Sequence, residues 1–205
     1  AAIAENKSPN MEQAQALAQN LIRADEGFRQ GSHSQRLAWW VTHKPVWAAV
    51  GSAQPKLSNA TEQAALQKQP GGTPPGSVKL IVSGHKHFYQ SVEPGTATRQ
   101  PLQLVVGNGG VLINPQGYNG TIDSIPAEVR SASYYGFVEG RLDVTNQQVT
   151  GWTLDVFAYP HKPDWGGSAG PQLIQTCRYP ATDSACKVLK ADYFALRPGE
   201  DNDPD

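Results

Sequence analysis

Two short apolar runs, each released into a histidine, constrain this chain more than any other feature. "RLAWWVTH", Arg36 to His43, stops at Lys44-Pro45; "VKLIVSGHKHFYQS", Val78 to Ser91, breaks at Gly84 and then places two imidazoles two residues apart. Runs this short and this apolar read as strands buried in a sheet. An imidazole just past a strand's end lies where α/β proteins commonly keep their chemistry. If the two strands are neighbours, His43, His85 and His87 converge on one edge. Neutral imidazole binds zinc, iron and related ions, so a convergent trio is a candidate metal site. Each histidine taken singly is better explained by a local cap or hydrogen bond, and only the Gly-His-x-His spacing favours a joint role.

The remaining pattern fits an α/β chain. Ala14, Leu17, Ala18, Leu21, Ile22 and Phe28 recur at helical spacing, predicting one amphipathic helix over Met11–Phe28 with Ser8-Pro9 at its start. Residues 51–77 are rich in Gln, Gly and Pro and read as a surface excursion holding a short helix from Asn59. "PLQLVVGNGGVLI", Pro101 to Ile113, predicts a strand interrupted by a glycine loop, with Asn108 as a turn residue. "YGFVEGRLDVTNQQVTGWTLDVFAY" alternates on both sides of Thr145-Asn146-Gln147 and predicts a hairpin. After Pro160 the chain is rich in Pro, Gly and Asp, and "RPGEDNDPD" has nothing to bury.

At 205 residues one core is expected. The formal net charge is -1 with Lys and Arg scattered, so nothing points to nucleic acid or an anionic membrane. No apolar run approaches the roughly 20 residues of a membrane span, and a soluble protein is expected. The opening "AAIAENKSPN" lacks an initiator Met and a signal peptide, so it reads as a mature or cleaved product. Cys177 and Cys186 have no metal-site partners near them; a small disulfide loop is the natural reading and favours export, with two free buried thiols as the other.

On "VTHKPVW" and "VSGHKH" the chain resembles the calcineurin-like metallophosphoesterase superfamily, in its purple-acid-phosphatase-like branch. The order is also similar: a helix rich in Gln and Leu, strand and His-x-Pro, strand and Gly-His-x-His, an "LVVGNGG" strand, then an aromatic-Gly-Phe hairpin. The likeness runs from about Met11 to Phe157. It implies the C-terminal half of a four-layer α/β/β/α sandwich with mixed sheets over residues 1–160, followed by an extension over 161–205. It further implies hydrolysis of phosphate esters by two metal ions, divalent or of Fe, Zn or Mn type. His43 and His85 would bind one ion and His87 the other. Lys86 and Tyr89 are candidate phosphate contacts, and solvent-facing side chains are the equally simple reading.

The family's upstream motifs, Gly-Asp-x-His, Gly-Asp-x-x-Asp and Gly-Asn-His-Asp/Glu, are missing, and with them its carboxylates and its catalytic histidine. Glu5, Glu12, Asp25 and Glu26, the only acids before His43, lie in the leader or on the first helix. Three neutral imidazoles alone should hold one ion weakly. A second polypeptide, either the missing N-terminal half or an assembly neighbour, is therefore expected to cover the bare sheet edge, which is otherwise an aggregation hazard. Two other functions stay open: a non-catalytic interaction or assembly domain, and a single-zinc three-histidine hydrolase.

Overall fold

The computed structural model describes residues 8–29, 37–50, 56–57, 59–95, 98, 100–110, 113, 117–122, 126–160 and 170–195. The expectations for the leader, for residues 51–55 and for the tail after residue 195 lie outside them. The chain begins with α1 (Met11–Arg29), β1 (Ala38–Thr42), β2 (Ala49–Val50), β3 (Lys56–Leu57) and α2 (Ala60–Gln67). There follow β4 (Val78–Ser83), β5 (Tyr89–Pro94), β6 (Leu102–Val106), β7 (Gly120–Ile122) and β8 (Ala127–Ala132). β9 (Gly136–Thr145), β10 (Gln148–Ala158), β11 (Gln172–Tyr179) and β12 (Cys186–Val188) close the order.

Helix α1 packs Ala14, Ala18 and Leu21, as its spacing predicts, while Ile22 stays exposed. Its cap differs from expectation. Asn10, rather than Ser8, accepts the Gln13 amide on Oδ1 at 3.0 Å, satisfying one of the helix's orphan donors.

Six strands form a mixed sheet in the order β1-β4-β6-β5-β8-β7, and four form an antiparallel sheet in the order β12-β11-β10-β9. Strands β1, β4 and β6 run parallel, so their C-terminal ends share one edge of the molecule. Alternation along each strand sends residues to opposite faces of the sheet. On one face Leu80, Tyr89, Leu102 and Leu104 meet Trp152, Leu154, Val156 and Ile174 of the second sheet. On the other, Ile81, Val92 and Val129 pack with Leu21, Val46, Trp47 and Leu66. The described residues thus build helix, sheet and sheet layers; a second helical layer is not among them.

Three sequence expectations need correcting here. β1 is the end strand of its sheet rather than a buried one, and Val41 on it is 72% exposed. The boundary at residue 160 divides hydrogen-bonded neighbours, because β11 pairs with β10 from Trp152↔Tyr179 to Ala158↔Gln172 and buries Ile174 in the shared core. Residues 170–194 therefore belong to the sandwich. Strands β5, β7 and β8 were not expected, and they supply half of the larger sheet. Cys177 and Cys186 face each other across β11 and β12 and form the disulfide. The hairpin turns at Asn146 and Gln147, both at positive φ (50° and 61°), as a two-residue primed turn requires.

Candidate functional site

His43 follows β1 and His85 follows β4, with Thr42 registered against Ser83. The Gly84 amide donates to the His43 carbonyl at 3.1 Å, continuing the parallel contact past the strands. The two rings meet there. His43 Nε2 and His85 Nδ1 are 3.1 Å apart, and the rings stand edge to face with centroids at 4.9 Å.

Three local devices produce that meeting. After His43 the chain turns inward, and buried glutamines of the sheet hold it. Gln103 Oε1 accepts the Val46 and Trp47 amides at 2.9 and 3.0 Å, and its Nε2 donates to the Trp47 carbonyl. Gln90 brackets Ala49 in the same manner, both bonds at 2.9 Å. These amides replace a strand partner for an irregular segment whose backbone would otherwise be buried unpaired. At the second histidine loop, His85 itself adopts positive φ, 65°, which turns the chain sharply between Gly84 and Lys86. Left-handed geometry at a residue other than glycine costs on the order of 1–3 kcal/mol and tends to gather at functional positions. Lastly, Gly107 lies against the Lys86 carbonyl so closely that a Cβ would collide with it.

The other expected residues are placed differently. His87 is half-buried on the same loop. Among the described residues no group of three or more His, Cys, Asp and Glu side chains is arranged to hold a metal. The convergence expected of three imidazoles is therefore seen for His43 and His85. Lys86 is only 6% exposed, so a phosphate contact from its ammonium would require the loop to open. Tyr89 is corrected outright: its ring is in the core between the sheets and its hydroxyl donates to Gln175 Oε1 at 2.7 Å. Burial pushes that phenol far above its ordinary range, so it stays protonated and committed to Gln175.

Two residues beside this edge escaped the sequence reading. Glu62, in the first turn of α2, accepts the Thr42 hydroxyl on Oε1 at 2.9 Å, while its Oε2 is buried without a partner. Burial raises its carboxyl above the usual range, opposed by hydrogen bonds from Thr42 and Asn59 and by the charge of Lys44. Asn59, the N-cap of α2, accepts the Glu62 amide on Oδ1 at 3.2 Å and so satisfies one of the helix's orphan donors. Asn108, beyond β6, is 2% exposed. It donates from Nδ2 to the Tyr134 carbonyl at 2.9 Å, and its Oδ1 is buried without a partner. The capping signal in "NATE" was readable; nothing in the sequence alone placed Asn108 in the interior.

No protein-family model matches the chain, and no curated protein matches it. A solved structure titled "Structure of PhoD" aligns with 87% of this chain at 15% identity and a TM-score of 0.46. The alignment covers 34% of that protein, so this chain spans about a third of its neighbour's length.

Proposed function

We propose that this chain carries the histidine part of a metal-dependent phosphoester hydrolase site. The observation behind the reading is the His43–His85 pair, two imidazole nitrogens 3.1 Å apart at the C-terminal ends of adjacent parallel strands. Two ligand bonds of about 2.0–2.1 Å to one tetrahedral ion separate their nitrogens by roughly 3.3 Å, so the pair fits one ion as two of its ligands. His43 would bind through Nε2 and His85 through Nδ1. An ion bound there supplies Lewis acidity toward a phosphoryl oxygen. The protein's own contribution is to hold both rings by the glutamine-clamped segment and the strained loop, so that little ordering is left to binding.

The described residues fit half a site. The remaining ligands, acidic ones in the resemblance above, would come from a second polypeptide laid beside β1, and a second ion with His87 belongs to that completed assembly. A metal-free interaction domain is the rival reading, and the exposed strand β1 favours it.

Calorimetric titration with Zn²⁺ and Mn²⁺ separates them. One weakly held ion, lost in His43→Ala and in His85→Ala, is expected; no uptake at millimolar metal, or uptake indifferent to both substitutions, would reject the hydrolase reading. Hydrolysis of an aryl phosphate should appear only in protein completed by the missing strands.

A further inference from the structure

The sheet is only half of what holds His43. Its ring meets His85 beyond the ends of β1 and β4, yet the chain on either side of it is also fastened to a helix. Thr42, one residue before His43, donates its hydroxyl to Glu62 Oε1 at 2.9 Å. Three residues after His43, the Val46 carbonyl accepts from Gln63 Nε2 at 3.2 Å. Glu62 and Gln63 are consecutive residues in the first turn of α2, so a single turn of helix grips the chain before and after the imidazole. The Val46 amide is held by Gln103 of β6, which clamps that residue between the helical layer and the sheet.

Helix α2 can act as a fixed support because it is itself anchored. Thr61 Oγ1 accepts the Asn10 amide at 3.0 Å, and Gln69 Nε2 donates to the Ala18 carbonyl at 2.8 Å. Between those bonds Ala65 packs on Ala14 and Ala18 of α1. Three successive side chains, Thr61, Glu62 and Gln63, therefore reach α1, β1 and the segment after His43 in turn, each pointing about 100° around the helix from the last. Glu62 also carries a cost. Its Oε2 is buried without a partner, worth about 1–3 kcal/mol, and such a group calls for an explanation beyond packing.

We propose that the first turn of α2 positions His43: Glu62, acting through Thr42, and Gln63, acting through Val46, fix the backbone on both sides of the imidazole and so set the ring's place against His85. The positioning role stands on the hydrogen bonds alone. That it serves a bound ion rests on the metal-site reading above, in which loss of outer support commonly lowers metal affinity about 10- to 100-fold.

The test reads the ring contact in the full chain, from nuclear Overhauser effects between the carbon-bound protons of the two imidazoles, whose centroids lie 4.9 Å apart. The effect is expected in the parent protein, in Thr42→Ser, which keeps a hydroxyl donor, and in Glu62→Gln, which keeps the acceptor. It should be lost in Thr42→Val, Glu62→Ala and Gln63→Ala. Thr61→Val is the control, because it removes a bond between the same turn and α1 without touching the chain around His43. That variant should lower the melting temperature and leave the effect unchanged. A merely structural role for Glu62 and Gln63 would make their variants behave like Thr61→Val, with the ring contact intact, and that result overturns the proposal. Absence of the effect in the parent protein overturns it as well. Thr42→Val keeps the β-branched shape that suits a strand, so the question is decided even if Glu62→Ala fails to fold. A Zn²⁺ titration on the same samples keeps the two ideas apart. A ring contact that depends on Glu62 in a protein that takes up no zinc removes the metal site and leaves the positioning role. Zinc uptake that is lost in His43→Ala but unchanged in Glu62→Ala and Thr42→Val, with the contact intact, does the reverse.

Discussion

His85 combines two properties that pull against each other, a strained backbone and a side chain that the strain aims at His43. Glycine tolerates positive φ and alanine does not, so His85→Gly should unfold at a higher temperature than His85→Ala, a difference of about 1 kcal/mol. If the pair holds an ion as proposed, both variants should lose its uptake equally. Equal melting temperatures would show that the turn is not strained at this residue. Glu62 yields a pH prediction. Its folded-state carboxyl is raised by burial above the unfolded value of about 4.3, so the native state holds the proton more tightly. Its contribution to stability is therefore present below about pH 4 and is lost as pH rises through the folded-state value. Glu62→Gln cannot ionise and its amide oxygen still accepts from Thr42. Relative to the parent, the variant should be more stable at pH 7 than at pH 4; the opposite ordering in thermal melts would reverse the assignment.

At the scale of elements, the site is held by parts whose sequence signals differ in kind. Strands β1 and β4, helix α1 and the β9–β10 hairpin were legible because apolar spacing repeats along them. The adjacency of His43 and His85 followed from two strands that each end in a histidine. Strands β5 and β8 were not legible, because Gln90, Ser91 and Ser131 read as surface residues although all are buried. Their polar groups are spent inside: Gln90 Nε2 donates to Ser131 Oγ at 2.7 Å as well as to Ala49. Hydropathy registers the amide and cannot register the partner that satisfies it. Gln103 is the sharpest instance, since three backbone groups of the segment after His43 depend on it. Gln103→Leu leaves three buried backbone groups unpaired, at about 1–3 kcal/mol each, so it should cost at least about 3 kcal/mol and loosen the His43–His85 pair with it. A denaturation midpoint within a few tenths of a kcal/mol of the parent would mean water replaces the clamp. The Cys177–Cys186 bridge joins β11 to the end strand β12 and lies in the core between the sheets, so its reduction should cost about 2–3 kcal/mol, read as a lowered denaturation midpoint.

For the whole molecule, what matters is that the two sheets end on the same side. β1 closes one sheet and β9 the other, and they lie close enough that a Cβ at Gly140 would touch the Trp39 ring at 3.7 Å. Trp39 stands edge to face with Trp152 of the second sheet at 6.4 Å, yet remains 39% exposed. Val41, Leu142 and Val144 are exposed beside it. Among the described residues neither strand has a partner on its outer edge, so both present backbone donors and acceptors next to apolar side chains. Such a side invites strand addition, and because β1 carries His43 at its end, whatever pairs with β1 also arrives beside the imidazole pair. In the absence of a second polypeptide the chain should associate through this side as its concentration rises. Val41→Lys places a charge in the middle of the open strand, and at an exposed position it should change stability by no more than about 0.5 kcal/mol. Sedimentation from micromolar to hundreds of micromolar is therefore expected to show mass increasing for the parent protein and a single 22.1 kDa species for Val41→Lys, with matching melting temperatures. A parent protein that stays at 22.1 kDa throughout would mean that β1 is already covered within the chain, and the second polypeptide would lose its place in the reading.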